Sequence, residues 1–293
     1  MATENVTEIE NQRVSRWKGK LFVALSFGAT IIGIVTLGIL LTYVAVDAIG
    51  WLDWQFLTSA TSRFPEEAGI YPALVGSVFL ILLIAFISFP VGVGAAIYLE
   101  EYAPDTRLVR AIQVNISNLA GVPSVVYGIL GLALFIQLLN IEYGTLIVAA
   151  LTVSLLILPI VIISAQEAIR SVPDSLRQAS YGMGATKWQT IRNVVLPRAL
   201  PGILTGTILA LGRAIGETAP LVMIGVPATI YSVPSSLTSK FTAMPMQIFA
   251  WVDLPSDAFQ HGVMAAGVIT LLVVLLTMNS IAILIRNKYQ KQS

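Results

Sequence analysis

Two ionisable residues, Arg213 and Glu217, stand inside a long apolar stretch that runs from about Gly202 to Val226. A spacing of four puts both side chains on one face of a helix, one turn apart and within reach of each other. A helix started at Pro201 would carry Arg213 about 18 Å along its axis, near the middle of a hydrocarbon layer of about 30 Å. A charge at that depth costs at least about 2.5 to 3.5 kcal/mol, so both residues must face a packed interior or a wet cavity. Two readings follow. The pair could lock the helix to its neighbours, or it could contact a substrate, the default for ionisable groups inside a membrane. The planar guanidinium fork suits a tetrahedral oxyanion, and Glu217 would keep Arg213 partly satisfied while the site is empty. Gly202-x-x-x-Gly206 and Gly212-x-x-x-Gly216 on the same stretch are suited to close helix contact.

Other chemistries are poorly supplied. Cysteine is absent and the only histidine is His261. Thiolate metal sites, cysteine nucleophiles and a histidine cluster are therefore excluded. No Gly-x-x-x-x-Gly-Lys-Ser/Thr loop occurs, so the chain is not expected to bind and hydrolyse ATP by itself. A net charge of +1 gives no field that would attract nucleic acid.

The elements around the charged pair are those of an integral membrane protein: 56% of the 293 residues are hydrophobic and 11% charged, against about 25% charged in soluble domains. A basic segment, residues 1–20, leads into a first span at Leu21 to Val46, too long for the apolar core of a signal peptide. Trp51, Trp54 and Phe56 then suggest a membrane–water boundary. Further spans are expected at Tyr71 to Leu99, with a kink or break near Pro90, at Ile116 to Leu139, at Gly144 to Ala165, at Gly202 to Val226 and at Val263 to Ile285. Met246 to Val252 reads as a short surface helix in the segment between the last two. Six spans place both termini on one side. Arg13, Arg16, Lys18, Lys20, Arg107, Arg110, Arg170, Arg177, Lys187, Arg192, Arg198, Arg286, Lys288 and Lys291 share that side, leaving Arg63 and Lys240 on the other. The positive-inside rule makes that side cytoplasmic. The expected organisation is a tail over 1–20, a permease domain over 21–286 and a tail over 287–293.

One polar island, Gln166 to Pro201, interrupts the apolar runs. Ser171-x-x-Asp174 with Pro173 reads as a helix start, and Gly182 and Gly184 break that helix. Thr186-x-x-Gln189 is a second capping box, and Pro197 is expected to stop the helix it opens. A capped helix–hinge–helix on an aqueous face suggests a docking element.

The island resembles the cytoplasmic signature of ABC-importer permeases. Gln178-Ala179-Ser180, Gly184, Val194 and Leu196-Pro197 fall at the family's spacing, with glutamine in place of the usual leading glutamate and serine in place of the second alanine. The runs 212–220 (GRAIGETAP), 123–128 (PSVVYG) and 278–289 (MNSIAILIRNKY) are similar to the phosphate branch of that family, from about Tyr71 to Tyr289. The resemblance implies an all-α, six-span permease of the type I importer fold in the cell membrane. It implies that 166–201 is the coupling element, with Gln178, Ala179, Ser180, Gly184, Leu196 and Pro197 facing a separate ATPase that binds ATP and Mg. It also implies a sister permease subunit, an ATPase dimer and an extracytoplasmic phosphate-binding protein as partners, and no cofactor in this chain. Arg213 and Glu217 match the residues that the family uses in phosphate passage. Passage of sulfate or molybdate, or proton-coupled transport through Glu217, are the alternatives. The 227–262 segment could receive the binding protein or face lipid.

Overall fold

The computed structural model describes residues 2–290, and the side chains of 17, 19–284, 286 and 287; those of Arg13, Arg16, Lys18 and Lys288, and all of Lys291, lie outside them. Every named element among these residues is helical. Five helices are long and apolar enough to cross a membrane, or six if one bent pair counts as a span.

Helix α1 (Ala2–Ala48) is continuous through the basic segment, and its part long and apolar enough to cross a membrane is Gly19–Ala48. Helix α2 (Trp54–Thr58) starts at Asp53, whose carboxylate accepts from the Phe56 N–H at 2.7 Å. Of the aromatics assigned to a boundary, Trp54 is exposed, whereas Phe56 is buried beneath Trp251, with ring centroids 6.0 Å apart.

Helix α3 (Tyr71–Ile97) carries on through Pro90, so of the expected kink or break there is no break; the chain widens into a π turn only at Tyr98–Tyr102. The third span, in contrast, is bent by 107° between α4 (Arg107–Ala120) and the segment opening with α5 (Ser124–Gly131). Pro123 lacks an N–H and cannot follow a helical residue comfortably, so the chain turns at Gly121-Val122-Pro123. The Tyr127 hydroxyl, on a buried ring, donates to the Leu119 carbonyl at 2.8 Å and ties the two arms together. The span expected at Ile116 to Leu139 is therefore a short apolar arm with α4 folded away from it.

Helix α6 (Leu146–Arg170) is the axis of the core. Val148, Ala149, Ala150, Val153, Ile157, Val161, Ala165 and Ile169 on it are all fully buried, and α3 and α9 (Leu196–Ala214) pack along it. The neighbours approach through glycines. A Cβ at Gly92 of α3 would lie 2.7 Å from Val161 Cγ1, one at Gly202 of α9 would lie 2.8 Å from Ala168 Cβ, and ones at Gly131 and Gly206 would overlap Thr152 and Ser164. Without a hydrophobic drive in lipid, such close approach is what holds helices together. The 202–206 glycine pair thus serves helix contact, as expected. The 212–216 pair does not: the nearest outside atom to a Cβ at Gly212 is Asn279 Oδ1 at 3.5 Å, and Gly216 has left the helix.

Helix α11 (Met244–Val252) corrects a further expectation. It is a plug in the core rather than a surface helix: Met244, Met246 and Trp251 are buried, and the Met244 N–H donates to Ser77 Oγ of α3 at 2.8 Å. Its length fitted an interfacial helix, but α2, α3 and α12 (Met264–Gln290) cover it.

Candidate functional site

The apolar run bearing the charged pair is two helices rather than one. α9 ends at Ala214, and α10 (Ala219–Met223) begins after Thr218. Gly212 and Gly216 weaken the helix, and Pro220 allows a restart only at a first turn. Arg213 therefore sits in the last turn of α9, where the partial negative charge of the unpaired carbonyls favours a cation. Glu217 lies in the break, not on a continuing helix. The pair still meets: Arg213 Nε donates to Glu217 Oε1 at 3.2 Å. Its two members differ in setting. The Glu217 side chain is 13% exposed, beside Ser77, Leu80, Ile81 and Ile84 of α3 and Ala243, whereas the Arg213 side chain is 49% exposed. Glu217 thus holds the guanidinium at its Nε, on an arginine whose side chain is about half exposed.

Pro201 lies inside α9, and α8 (Lys187–Thr190) runs through a π turn at Ile191–Val195 into α9 as one span, Lys187–Ala214. Pro197 does not stop it. The π turn closes by a bond from the Leu196 N–H to the Ile191 carbonyl, five residues back, and the wide turn relieves the clash that a proline ring makes with the preceding turn. Arg213 is consequently about 39 Å along the axis from Lys187, at a helix end rather than mid-helix.

The polar island folds as α7 (Asp174–Gly182), a turn and α8. Ser171 does not cap α7: its hydroxyl donates to the Ala168 carbonyl at 2.8 Å, finishing α6. Gly184 takes φ +82°, a left-handed conformation that favours glycine. The Thr186–Gln189 capping box forms as expected, with the Thr186 N–H donating to Gln189 Oε1 at 2.8 Å. Of the signature residues, Gln178, Ala179, Gly184 and Pro197 are exposed, Leu196 is half-buried, and Ser180 is buried, its hydroxyl 2.9 Å from Thr190 Oγ1. That last contact staples α7 to α8. Met183, at 83% exposure, and the exposed Tyr181 and Trp188 form an apolar knob on the turn. Sequence reasoning passed over this knob, although an apolar residue between two helix-breaking glycines was its signal.

A second set of residues also went unrecognised. Glu100 and Glu101, in the π turn after α3, receive the island. Arg170 Nε donates to Glu100 Oε2 at 3.3 Å and Gln166 Nε2 to Glu100 Oε1 at 3.0 Å. Arg177 Nε and Nη2 both donate to Glu101 Oε1, at 3.2 and 3.1 Å. Arg177 also donates to the Ile169 carbonyl at 2.9 Å, satisfying the end of α6. Lys187 Nζ lies 5.0 Å from the centre of the Tyr102 ring. The Arg177 and Glu101 side chains are only 15% and 7% exposed.

At the opposite end, the 140–145 turn meets the loops after α10. Lys240 Nζ lies 3.3 Å from Glu142 Oε1 and 4.4 Å from the Tyr143 ring centre. The hydrogen bond to Glu142 holds the Lys240 ammonium above its ordinary pKa. His261 Nδ1 lies 3.9 Å from Asp47 Oδ2, near the start of the last span.

Comparison with known proteins follows this geometry. Residues 88–291 match the family model described as binding-protein-dependent transport system inner membrane component. A probable ABC transporter permease of Bacillus subtilis, YqgI, is 36% identical over 193 residues, 66% of this chain and 65% of that protein. The phosphate transport system permease protein PstA 1 of Mycobacterium tuberculosis is 36% identical over 248 residues, 83% of this chain and 78% of that protein. In fold, a chain of a bacterial alginate ABC transporter, solved with a periplasmic protein that holds an alginate pentasaccharide, superposes with TM-score 0.67 at 14% identity, covering 89% of this chain and 92% of that one. With its broken spans, α6 axis and capped polar island, the chain belongs to the family of binding-protein-dependent transport system inner membrane components, the permeases of ABC importers.

Proposed function

We propose that the chain is one permease subunit of an ATP-driven phosphate importer. The observation that carries this is the half-exposed Arg213, held at one edge by Glu217 in a helix break. A cation left in that way is a half-site. A sister permease subunit against the same face would complete a pathway in which Arg213 offers phosphate two terminal nitrogens, the geometry that arginine uses for oxyanions. The likeness to a relative named for phosphate transport supports the choice of anion.

On this reading the termini and the 166–201 element lie in the cytoplasm. Gln178, Ala179, Gly184 and the Met183 knob dock on an ATPase dimer, and Ser180, Leu196 and Pro197 shape the element behind them. ATP and Mg belong to that ATPase, and an extracytoplasmic phosphate-binding protein delivers the anion. Closure of the ATPases moves the docking element, and phosphate makes charge-assisted contacts with Arg213 in one state and loses them in the other. The test is uptake of labelled phosphate by cells bearing Arg213→Gln, with assembly checked by copurification. Loss of uptake by an assembled complex is expected; near-normal uptake overturns the substrate role. Competition by sulfate or molybdate as strong as by phosphate would move the cargo to another oxyanion.

A further inference from the structure

We propose that Glu100 and Glu101 are positioning residues that pass the motion of the docking element into α3, and through α3 to Glu217. The inference rests on the coupling role given above to 166–201. α7 is bound to α3 through Arg177, whose guanidinium takes Glu101 Oε1 with two nitrogens, at 3.2 and 3.1 Å, and reaches Asp174 of its own helix at 3.1 Å. Arg170 and Gln166 bind Glu100 beside it, and Lys187 of α8 covers Tyr102. The strap therefore takes in both helices of the docking element and the end of α6.

At 7% and 15% exposure the Glu101–Arg177 pair is shielded from water, and separating such a pair leaves an uncompensated buried charge. Breaking and remaking it in every cycle would be costly, so the two elements move as one body. The far part of that body is the charged site. α3 continues through Pro90 without ending, and about 30 Å from Glu101 its Ser77, Leu80, Ile81 and Ile84 line the seat of Glu217. A push on the docking element thus reaches the partner of Arg213 by way of α3, in addition to the direct continuation of α8 into α9.

This chain has no cysteine, so a Glu101→Cys/Arg177→Cys variant of it, tested in the assembled complex, carries only the two introduced thiols on this subunit. Reconstituted vesicles report phosphate taken up per ATP hydrolysed. With the strap broken, that ratio is expected to fall at least fivefold while the ATPase still copurifies. Bridging the two thiols with a bismaleimide long enough to span the lost side chains should restore it. A ratio unchanged in the unbridged variant overturns the proposal, as does a bridge that blocks uptake, because the strap would then have to open during transport. If the double variant does not assemble, Glu100→Gln is the second measurement: it weakens one arm only, and an unchanged ratio there counts against the strap. Failure of the coupling reading itself would show differently, as wild-type uptake indifferent to ATPase docking.

Discussion

The closest helix contacts around the core lie on the seam between α6 and α9, and Gly202 allows a quantitative test of it. A Cβ at this position would stand 2.8 Å from the Cβ of Ala168, whereas carbon atoms rest at about 3.5 to 4.0 Å. Gly202→Ala must therefore part the two helices by about 1 Å, and a gap of about 0.5 to 1 Å forfeits a quarter to a half of each dispersion contact across the seam. Overpacking of this kind costs about 1 to 3 kcal/mol. Alanine also gains about 0.8 to 1 kcal/mol of helix propensity over glycine, so the proper control is Gly212→Ala on the same helix, whose Cβ would meet nothing closer than Asn279 Oδ1 at 3.5 Å. The difference between the two variants cancels propensity and should be about 1 to 3 kcal/mol, with Gly202→Ala the less stable. Unfolding midpoints of the purified proteins in one detergent measure it. Adding Ala168→Gly removes the opposing Cβ and should return the overpacking cost, less about 0.8 to 1 kcal/mol of helix propensity that glycine loses in α6. Equal midpoints for the two variants, or no recovery in the double variant, would refute the seam.

Three shorter expectations follow from other contacts. Gly184→Val places a β-branched residue at φ +82°, at a cost of about 1 to 2 kcal/mol; since no neighbour crowds that position, Gly184→Asn should be milder, and trypsin susceptibility of the turn reads the order. Thr186→Ala removes the capping box and should destabilise α8 by about 1 kcal/mol, seen as faster amide exchange at 187–190. Tyr127→Phe keeps the ring and deletes the bond to the Leu119 carbonyl, a loss of about 0.5 to 1.5 kcal/mol; a spin-label pair on α4 and α5 should show a broader distance distribution, and an unchanged one would remove Tyr127 as the tie of that bend.

What the sequence made legible was local or periodic. Long apolar runs revealed the spans, and the Thr186–Gln189 spacing revealed a capping box because both partners lie within one turn. The break between α9 and α10 escaped because hydrophobicity continues through it, and Gly212 and Gly216 fit a packing motif as well as a helix end. Pro197 misled because a π turn, which has no simple sequence sign, absorbs it. The burial of Met244 to Val252 depended on α2, α3 and α12 arriving over it, information held elsewhere in the chain. Glu101 and Arg177 are 76 positions apart. Their pairing follows from α3 and α6 lying side by side, so Arg177 read only as one of the basic residues on one side of the membrane. The Arg213–Glu217 contact was legible since four residues can bridge a helix end as well as a turn.

Within the chain α1 rests chiefly on α12 and the turn that leads into it, so α1, which is made earlier, has to wait for α12 to find its seat. Until then its exposed Leu, Ile and Phe side chains are matched only by lipid, and its seat, where Asp47 approaches His261, closes a long loop of the polypeptide. Synthesis that halts before α12 would therefore leave an inserted but unmoored α1, and quality-control proteases would have a clear mark of an unfinished chain.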